Sequence, residues 1–194
     1  QDTPDGHKSA KSIRWILDNL CNGNNVRPCP YTCARYLSIK YPEVAAFIAE
    51  WTFRPENAMD YSNTGHFVYD CCPTTTASDF FVWRYKCMLK RFPELRGIYF
   101  DFGTVSGCSN EDHGCRERTP LLAQREFYRR MCVAQLEAGI TNPAVVVHNT
   151  DCVQIPALTF TTHLLNGEQC AKPPRLRYTV TRTSSIATAL RCSP

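Results

Sequence analysis

The sequence predicts an α/β fold in which parallel βα units form part of a TIM-like barrel that this chain leaves incomplete. Apolar strand candidates alternate with amphipathic helices from residue 66 onward, which is the order that parallel βα units require. The run Val145, Val146 and Val147 is apolar at every position, as expected of a strand covered on both faces. The chain offers about four such strands, whereas a complete barrel takes about 250 residues.

The first part of the chain shows no alternation of strands and helices. Residues 1–30 are interpreted as an N-terminal extension whose one helix, at 12–20, is short and amphipathic. A helical pattern covers 33–51 and is interrupted before Pro42, a residue that suits the first turn of a new helix. Residues 52–64 are predicted to form a loop.

The βα units make up the predicted barrel domain, residues 31–169. The expected elements are strand 66–72, helix 80–92, strand 95–103, helix 121–139, strand 143–149 and strand 158–165. Pro93 is expected to end the first of these helices, and Gly139 to cap the second. Gly103 is expected to terminate the strand that precedes it.

The last segment, 170–194, has a different composition and is predicted to be a basic tail that is disordered or non-native. Five basic residues and no acidic residue follow Glu168, so subtracting those five from the net charge of +4 leaves −1 for the rest. Such an abrupt loss of acidic residues suggests a frameshift or a truncation. The body has no basic stripe interleaved with aromatic residues and no long apolar run, so neither nucleic acid nor membrane is an expected partner.

Twelve cysteines are many for a chain of this length. An even and high count is typical of an oxidising compartment, which predicts a secreted or periplasmic protein with one or two disulfides. Cys108 and Cys115 are expected to form one of them, closing a small loop. Zinc binding by these two cysteines with His113 and Asp112 is the alternative, but the spacing matches no known zinc-finger pattern. No metal and no other cofactor is therefore expected.

Polar residues stand at the ends of the strand candidates, where parallel βα folds place their ligand-binding edge. Asp101, between aromatic residues on a core strand, is costly to bury and is predicted to be catalytic, with Glu168 as the second carboxylate. A pair of carboxylates is the minimum for cleaving a glycosidic bond. The predicted substrate-binding residues are Asp70, His148, Asn149, His163 and Trp51.

Several motifs carry a resemblance to a known family. They are GIYFDFG, CSNEDHGC, RTPLLAQREFYRR, VVVHNTDCVQIPALTF and HLLNGEQ, all of which lie between residues 97 and 169, within a resemblance that covers roughly residues 31–169. This order resembles uncharacterised bacterial proteins related to glycoside hydrolase family 123. The resemblance implies a TIM-like catalytic barrel that acts on glycans. Members of that family are thought to cleave N-acetylated sugars with adjacent Asp-Glu residues, whereas this chain has Glu111-Asp112 in the reverse order.

Three functions agree with these observations. The first is a glycoside hydrolase-like enzyme, or a fragment of one, that uses carboxylate acid–base chemistry on an oligosaccharide. The second is a non-catalytic carbohydrate-binding or interaction protein on the same scaffold. The third is a small disulfide-stabilised secreted protein without enzymatic activity.

Overall fold

The computed structural model shows a mixed α/β fold with two β-sheets. It describes residues 4, 9–53, 58–60, 67–113, 115, 119–149, 153–166 and 179–182. In chain order the strands are β1 (Tyr31–Cys33), β2 (Tyr36–Ser38), β3 (Ala58–Asp60), β4 (Phe67–Asp70), β5 (Ile98–Asp101), β6 (Val145–Asn149), β7 (His163–Asn166) and β8 (Thr179–Arg182). The α-helices are α1 (Ala10–Ile16), α2 (Pro42–Ala46), α3 (Ile48–Trp51), α4 (Ala77–Arg91) and α5 (Leu121–Glu137).

The larger sheet has the strand order β1-β5-β6-β7-β8. Its first four strands are parallel, and only β8 runs antiparallel to its neighbour. The four parallel strands follow one another across the sheet in chain order, without a reversal. Their carboxyl ends therefore lie along the same edge, where Asp101 ends β5 and Asn149 ends β6.

Helices α4 and α5 pack on one face of this sheet, around Phe100. The Phe100 ring is fully buried, and its centroid lies 6.0 Å from that of Phe81 on α4 and 5.5 Å from that of Phe127 on α5. The two helices also contact each other through Phe81 and Phe127, whose ring centroids are 5.2 Å apart. Both helices thus cover the same side of the sheet, and this layer is the main hydrophobic core.

The opposite face of the parallel strands is covered less completely. Side chains alternate between the two faces of a strand, so Tyr99 and Asp101 lie opposite Phe100. In β5 the pattern is buried, half-buried, buried, half-buried, and in β6 Val146 is half-buried between buried valines. We call this side, with Tyr31, Tyr99, Asp101, Val146, His148 and His163, the open face.

The smaller sheet is antiparallel, with the order β2-β4-β3. The predicted strand at 66–72 exists as β4, but it belongs to this sheet and not to the parallel one. The first parallel strand is instead β1, which lies between the predicted N-terminal extension and the start of the helical pattern predicted at 33–51. Three residues are too few for a periodic pattern, so β1 depends on its pairing with β5.

The longer elements agree with the sequence analysis. Helix α4 ends just before Pro93, and α5 is followed by Gly139 with a φ of 82°, which is the conformation that favours glycine. The predicted strand 158–165 is wrong in its first half: residues Ile155–Phe160 form a 3₁₀ helix, and β7 begins at His163. Pro156 lies in the first turn of that helix, where the missing N–H of proline is tolerated.

The two terminal regions also contain ordered elements. Ile13 of α1 and Leu17, in the π-helical turn that follows, are buried in the main core. Strand β8 lies within the predicted basic tail and pairs with β7. Within the described ranges, no helix combines the length and the apolar character that a membrane span needs.

Candidate functional site on the open face

Asp101 is held at the carboxyl end of β5 by three hydrogen bonds. Its Oδ1 accepts from the backbone N–H of Phe102 at 2.9 Å, and its Oδ2 accepts from the hydroxyl of Tyr31. The Nδ1 atom of His148 lies 2.9 Å from Oδ1. Two donors and one imidazole nitrogen therefore surround its two oxygens, an arrangement that suits an ionised carboxylate, which only accepts. The side chain is 17% exposed, so solvent or a ligand can still reach it.

The backbone after Asp101 makes a tight turn. Phe102 has a φ of 51°, in the left-handed region, which costs a non-glycine residue about 1–2 kcal/mol. This turn directs the Phe102 N–H to the carboxylate of Asp101. The next residue, Gly103, donates its N–H to the carbonyl of His148 at 2.8 Å. Backbone strain of this kind concentrates at functional sites, where neighbouring structure holds it in place.

His148 is the neighbour of Asp101 on β6. The register Phe100↔Val147 places the two residues side by side on the open face. His148 is buried, with only 7% of its side chain exposed. Since a carboxylate cannot donate, the hydrogen bond to Asp101 assigns the proton to Nδ1 of the imidazole. Asp101 thereby fixes the orientation of the ring on the open face.

The other predicted site residues are placed differently. His163 shares the open face, but it lies at the start of β7, paired with Val146, away from the carboxyl edge. Asn149 lies at the carboxyl edge and is buried, and its Nδ2 has no hydrogen-bond partner in the described part of the chain. Glu168 falls outside the described residues, two positions after the end of β7.

Asp70 does not lie at the edge of the parallel sheet, contrary to expectation. It ends β4 in the antiparallel sheet, opposite Tyr36 of β2. Its Oδ1 forms an ion pair with Nε of Arg35 at 3.0 Å. The sequence pattern of a short apolar strand ending in Asp is the same for both kinds of sheet, which explains the error.

Trp51 is a core residue and not an exposed platform. It ends α3, is only 4% exposed, and packs against the rings of Phe47 and Phe80 at 5.1 and 5.4 Å. Its indole N–H donates to Oγ1 of Thr76 at 2.7 Å, which satisfies the one polar group of the ring. The prediction of a loop at 52–64 suggested exposure, but Phe53 is buried as well.

Two tyrosines of the open face were missed by sequence reasoning. Tyr31 and Tyr99 pair across β1 and β5, and their rings stack with centroids 5.5 Å apart at an interplanar angle of 28°. Tyr31 and Asp101 are 70 positions apart in the chain. The pairing of β1 with β5 brings them together, and no local pattern in the sequence signals it.

A second cluster of chemically active side chains lies in the loop after β5. The sulfur atoms of Cys72, Cys108 and Cys115 and a ring nitrogen of His113 all lie within 4.8 Å of one another. The predicted disulfide between Cys108 and Cys115 is not formed, and none of the nine described cysteines is in a disulfide. Both sulfurs instead face this four-residue cluster, to which the distant Cys72 contributes.

Burial dominates the chemistry of Cys72 when no cation is present. It raises the pKa of this thiol to about 12, although hydrogen bonds from Thr74 act in the opposite direction. Burial also raises the pKa of Cys108, which is closer to solvent. Phe53 and Val105 pack around the cluster and supply its apolar surroundings. These thiols therefore stay protonated at neutral pH unless a positive charge joins them.

Comparison with known proteins adds no assignment to this geometry. No protein-family model matches the chain, and no curated protein matches it. The resemblance to proteins related to glycoside hydrolase family 123 therefore stays a prediction from the motifs, and the placement of Asp101 and His148 is the observation on which a function has to rest.

Proposed function

We propose that the open face binds a glycan and that the protein is a glycoside hydrolase-like enzyme. The observation that carries this proposal is the placement of Asp101 at the carboxyl end of β5, hydrogen-bonded to His148 and Tyr31. The two strands that the proposal connects, β5 and β7, both run parallel to β6. The carboxyl ends of β5 and β7, at Asp101 and Asn166, therefore lie along the same edge of the sheet.

Features of the larger sheet support a finer description of the fold, in which this sheet is part of a barrel wall. Parallel strands that follow chain order without a reversal, with helices such as α4 and α5 on the same face, are the arrangement of a barrel wall. Doubly wound folds differ, since their strand order reverses and their helices cover both faces. In a barrel the open face is the interior, and its carboxyl edge is where active sites lie.

Asp101 suits the role of nucleophile or charge stabiliser in glycoside cleavage. The N–H of Phe102 and the hydroxyl of Tyr31 both donate to it, and an ionised carboxylate can also accept from Nδ1 of His148. The proton donor to the leaving oxygen then has to be a different group, and we assign this role to Glu168. Such a division between an ionised and a protonated carboxyl is the usual one in glycosidases.

The rest of the open face provides surfaces that a sugar can use. The stacked rings of Tyr31 and Tyr99 are half-buried and present apolar area, on which the C–H face of a pyranose can pack. His148 supplies an imidazole of fixed orientation beside the carboxylate.

A non-catalytic carbohydrate-binding protein is the second candidate, and one observation favours it. Asp101 is the only carboxylate in the described parallel strands β1, β5, β6 and β7. Asp70, the nearest alternative in the sequence analysis, is occupied by Arg35. A single carboxylate suffices to bind sugar hydroxyls, whereas hydrolysis needs a second carboxyl group or its equivalent.

Two assays on the 194-residue chain separate these candidates. The first follows release of 4-nitrophenol from 4-nitrophenyl glycosides of N-acetylhexosamines and of neutral hexoses. The second measures binding of the matching oligosaccharides by isothermal titration calorimetry. We expect hydrolysis of at least one N-acetylhexosaminide. Binding without hydrolysis would replace the enzyme by the binding protein, and the absence of both would contradict a glycan-directed function.

A further inference from the structure

The cluster of Cys72, Cys108, His113 and Cys115 has the composition of a zinc site. Structural zinc is held by four cysteine and histidine ligands, and three cysteines with one histidine is a common set. Three of these residues follow one another closely in the loop after β5. Cys72 lies after β4 and is 43 positions from Cys115, yet their sulfurs are 4.0 Å apart.

The distances agree with a tetrahedral metal better than with a disulfide. A zinc–sulfur bond is about 2.3 Å long, so two sulfurs on one tetrahedral zinc are about 3.8 Å apart. A disulfide would need about 2.05 Å. The separations are 4.0 Å between the sulfurs of Cys72 and Cys115 and 3.0 Å between Sγ of Cys108 and Nε2 of His113, with no pair beyond 4.8 Å. Small side-chain movements would place all four atoms around one ion.

The histidine is oriented as metal-binding histidines are. Nε2 of His113 faces the cluster, while Nδ1 lies within hydrogen-bonding distance of the backbone carbonyl of Glu50. Metal-ligating imidazoles almost always donate their second N–H to a carbonyl or carboxylate, which fixes the tautomer. This contact is independent of the cysteines, and it leaves Nε2 as the atom with a lone pair for a metal.

The loop that carries three of the ligands is also fixed to the neighbouring elements. The side-chain amide of Asn110 donates to the carbonyls of Ala49 and Thr52 at 2.7 and 2.6 Å. Closer to Asp101, Val105 exchanges two hydrogen bonds with the side chain of Gln154, at 2.7 and 2.9 Å. The ligand atoms are therefore preorganised by contacts that do not involve them.

We propose that Cys72, Cys108, His113 and Cys115 bind one zinc ion that has a structural role. Binding places the ion against three thiolates and one neutral imidazole, and the three thiol protons pass to solvent. Four protein ligands leave no open position, which distinguishes a structural site from a catalytic one. The ion joins the end of β4 to the loop that follows Asp101, so it holds that loop against the antiparallel sheet. This assignment replaces both the expected disulfide and the expectation that no metal binds.

The test measures metal content and coordination in the whole chain. The protein is purified under reducing conditions from zinc-supplemented cells, and zinc is quantified by inductively coupled plasma mass spectrometry. We expect one zinc per chain. Exchange for Co²⁺ is expected to give the intense visible absorption of tetrahedral cobalt together with thiolate-to-cobalt charge-transfer bands.

Variants assign the ligands. Cys72→Ser and His113→Ala are each expected to lower zinc affinity by at least about 10- to 100-fold, the loss that mutation of an outer-shell partner already causes. Cys71→Ser is the matched control, because Cys71 is adjacent and also buried but lies outside the cluster. If Cys72→Ser does not fold, release of zinc from the wild-type chain by a thiol-blocking mercurial, with a colorimetric chelator as readout, gives the same information.

Three results would overturn the proposal. They are a zinc-supplemented wild-type chain without bound zinc or a tetrahedral cobalt spectrum, full zinc binding by both ligand variants, and a disulfide at Cys72, Cys108 or Cys115 detected by mass spectrometry without reduction. None of these readouts depends on glycan chemistry, so this proposal and the glycan-directed function stand or fail separately.

Discussion

Asp101→Asn is expected to reduce kcat/KM for the best glycoside by at least about 1000-fold, which corresponds to about 4 kcal/mol of transition-state stabilisation. The asparagine has almost the same shape but no charge, and its amide nitrogen donates where the carboxylate accepts from Tyr31 or His148. It can neither attack nor stabilise a positively charged sugar. Binding of the oligosaccharide should persist, because the tyrosine rings remain.

The control for this variant is Asp79→Asn. Asp79 is an exposed carboxylate on α4 that pairs with Arg130 at 2.7 Å, on the helix side of the sheet. Exposed ion pairs contribute about 0–1 kcal/mol, so this variant should keep both its stability and its turnover. Circular dichroism shows whether each variant is folded. Wild-type turnover in a folded Asp101→Asn protein would remove Asp101 from the mechanism.

Gly103→Ala is expected to destabilise the protein by about 3 kcal/mol or more, the upper end for overpacking in a core. A Cβ atom at this position would lie 2.0 Å from Cγ1 of Val147, 3.0 Å from the carbonyl oxygen of His148 and 3.2 Å from the hydroxyl of Tyr128. The first neighbour is a short, stiff side chain and the second is backbone, so neither can move away easily. The hydrogen bond that the Tyr128 hydroxyl donates to the Gly103 carbonyl, 2.8 Å long, would also be distorted.

Chemical denaturation of both proteins measures this effect, and Gly23→Ala is the matched control. Gly23 has a positive φ of 73° but open space around it, so alanine there meets backbone strain alone, about 1–2 kcal/mol. We expect Gly103→Ala to unfold at a clearly lower urea concentration than Gly23→Ala. Equal or smaller destabilisation at Gly103 would show that the turn after β5 does not lie as close to β6 as described.

Sequence reasoning succeeded where the elements are long and end at strong signals. Helices α4 and α5 each have enough turns to show a clear period, and Pro93 and Gly139 mark their ends. Strands β5 and β6 were found from their apolar and β-branched composition. In these segments the local preferences agree with the tertiary structure, so a local pattern is sufficient to identify them.

It failed where non-local pairing decides the structure. Strand β1 has only three residues, and its place in the sheet comes from the pairing of Tyr31 with Tyr99. The strand that ends in Asp70 has the pattern of a parallel strand but pairs antiparallel with β2 and β3. Which partner a strand selects depends on the whole chain, and a window of a few residues does not contain that information.

The candidate site also contains residues that local patterns placed correctly and residues that only non-local contacts bring in. The placement of Asp101 and His148 was predicted correctly because polar residues that end parallel strands meet at the carboxyl edge of the sheet. Tyr31 and Cys72 were not found as members of their clusters, because each reaches its partners from a distant segment. Trp51 was predicted to bind substrate on the surface, but it is buried against the rings of Phe47 and Phe80. Its contact with Phe80 depends on the tertiary structure, which the local sequence does not show.

A crystal structure of the chain with a bound N-acetylhexosamine oligosaccharide tests the central claim most directly, through the distance between the carboxyl groups of Asp101 and Glu168. The proposal predicts that both face the sugar, about 5–5.5 Å apart for a retaining enzyme or about 6.5–9.5 Å for an inverting one. Carboxyl groups at opposite edges of the sheet, or a sugar bound away from the open face, would contradict it.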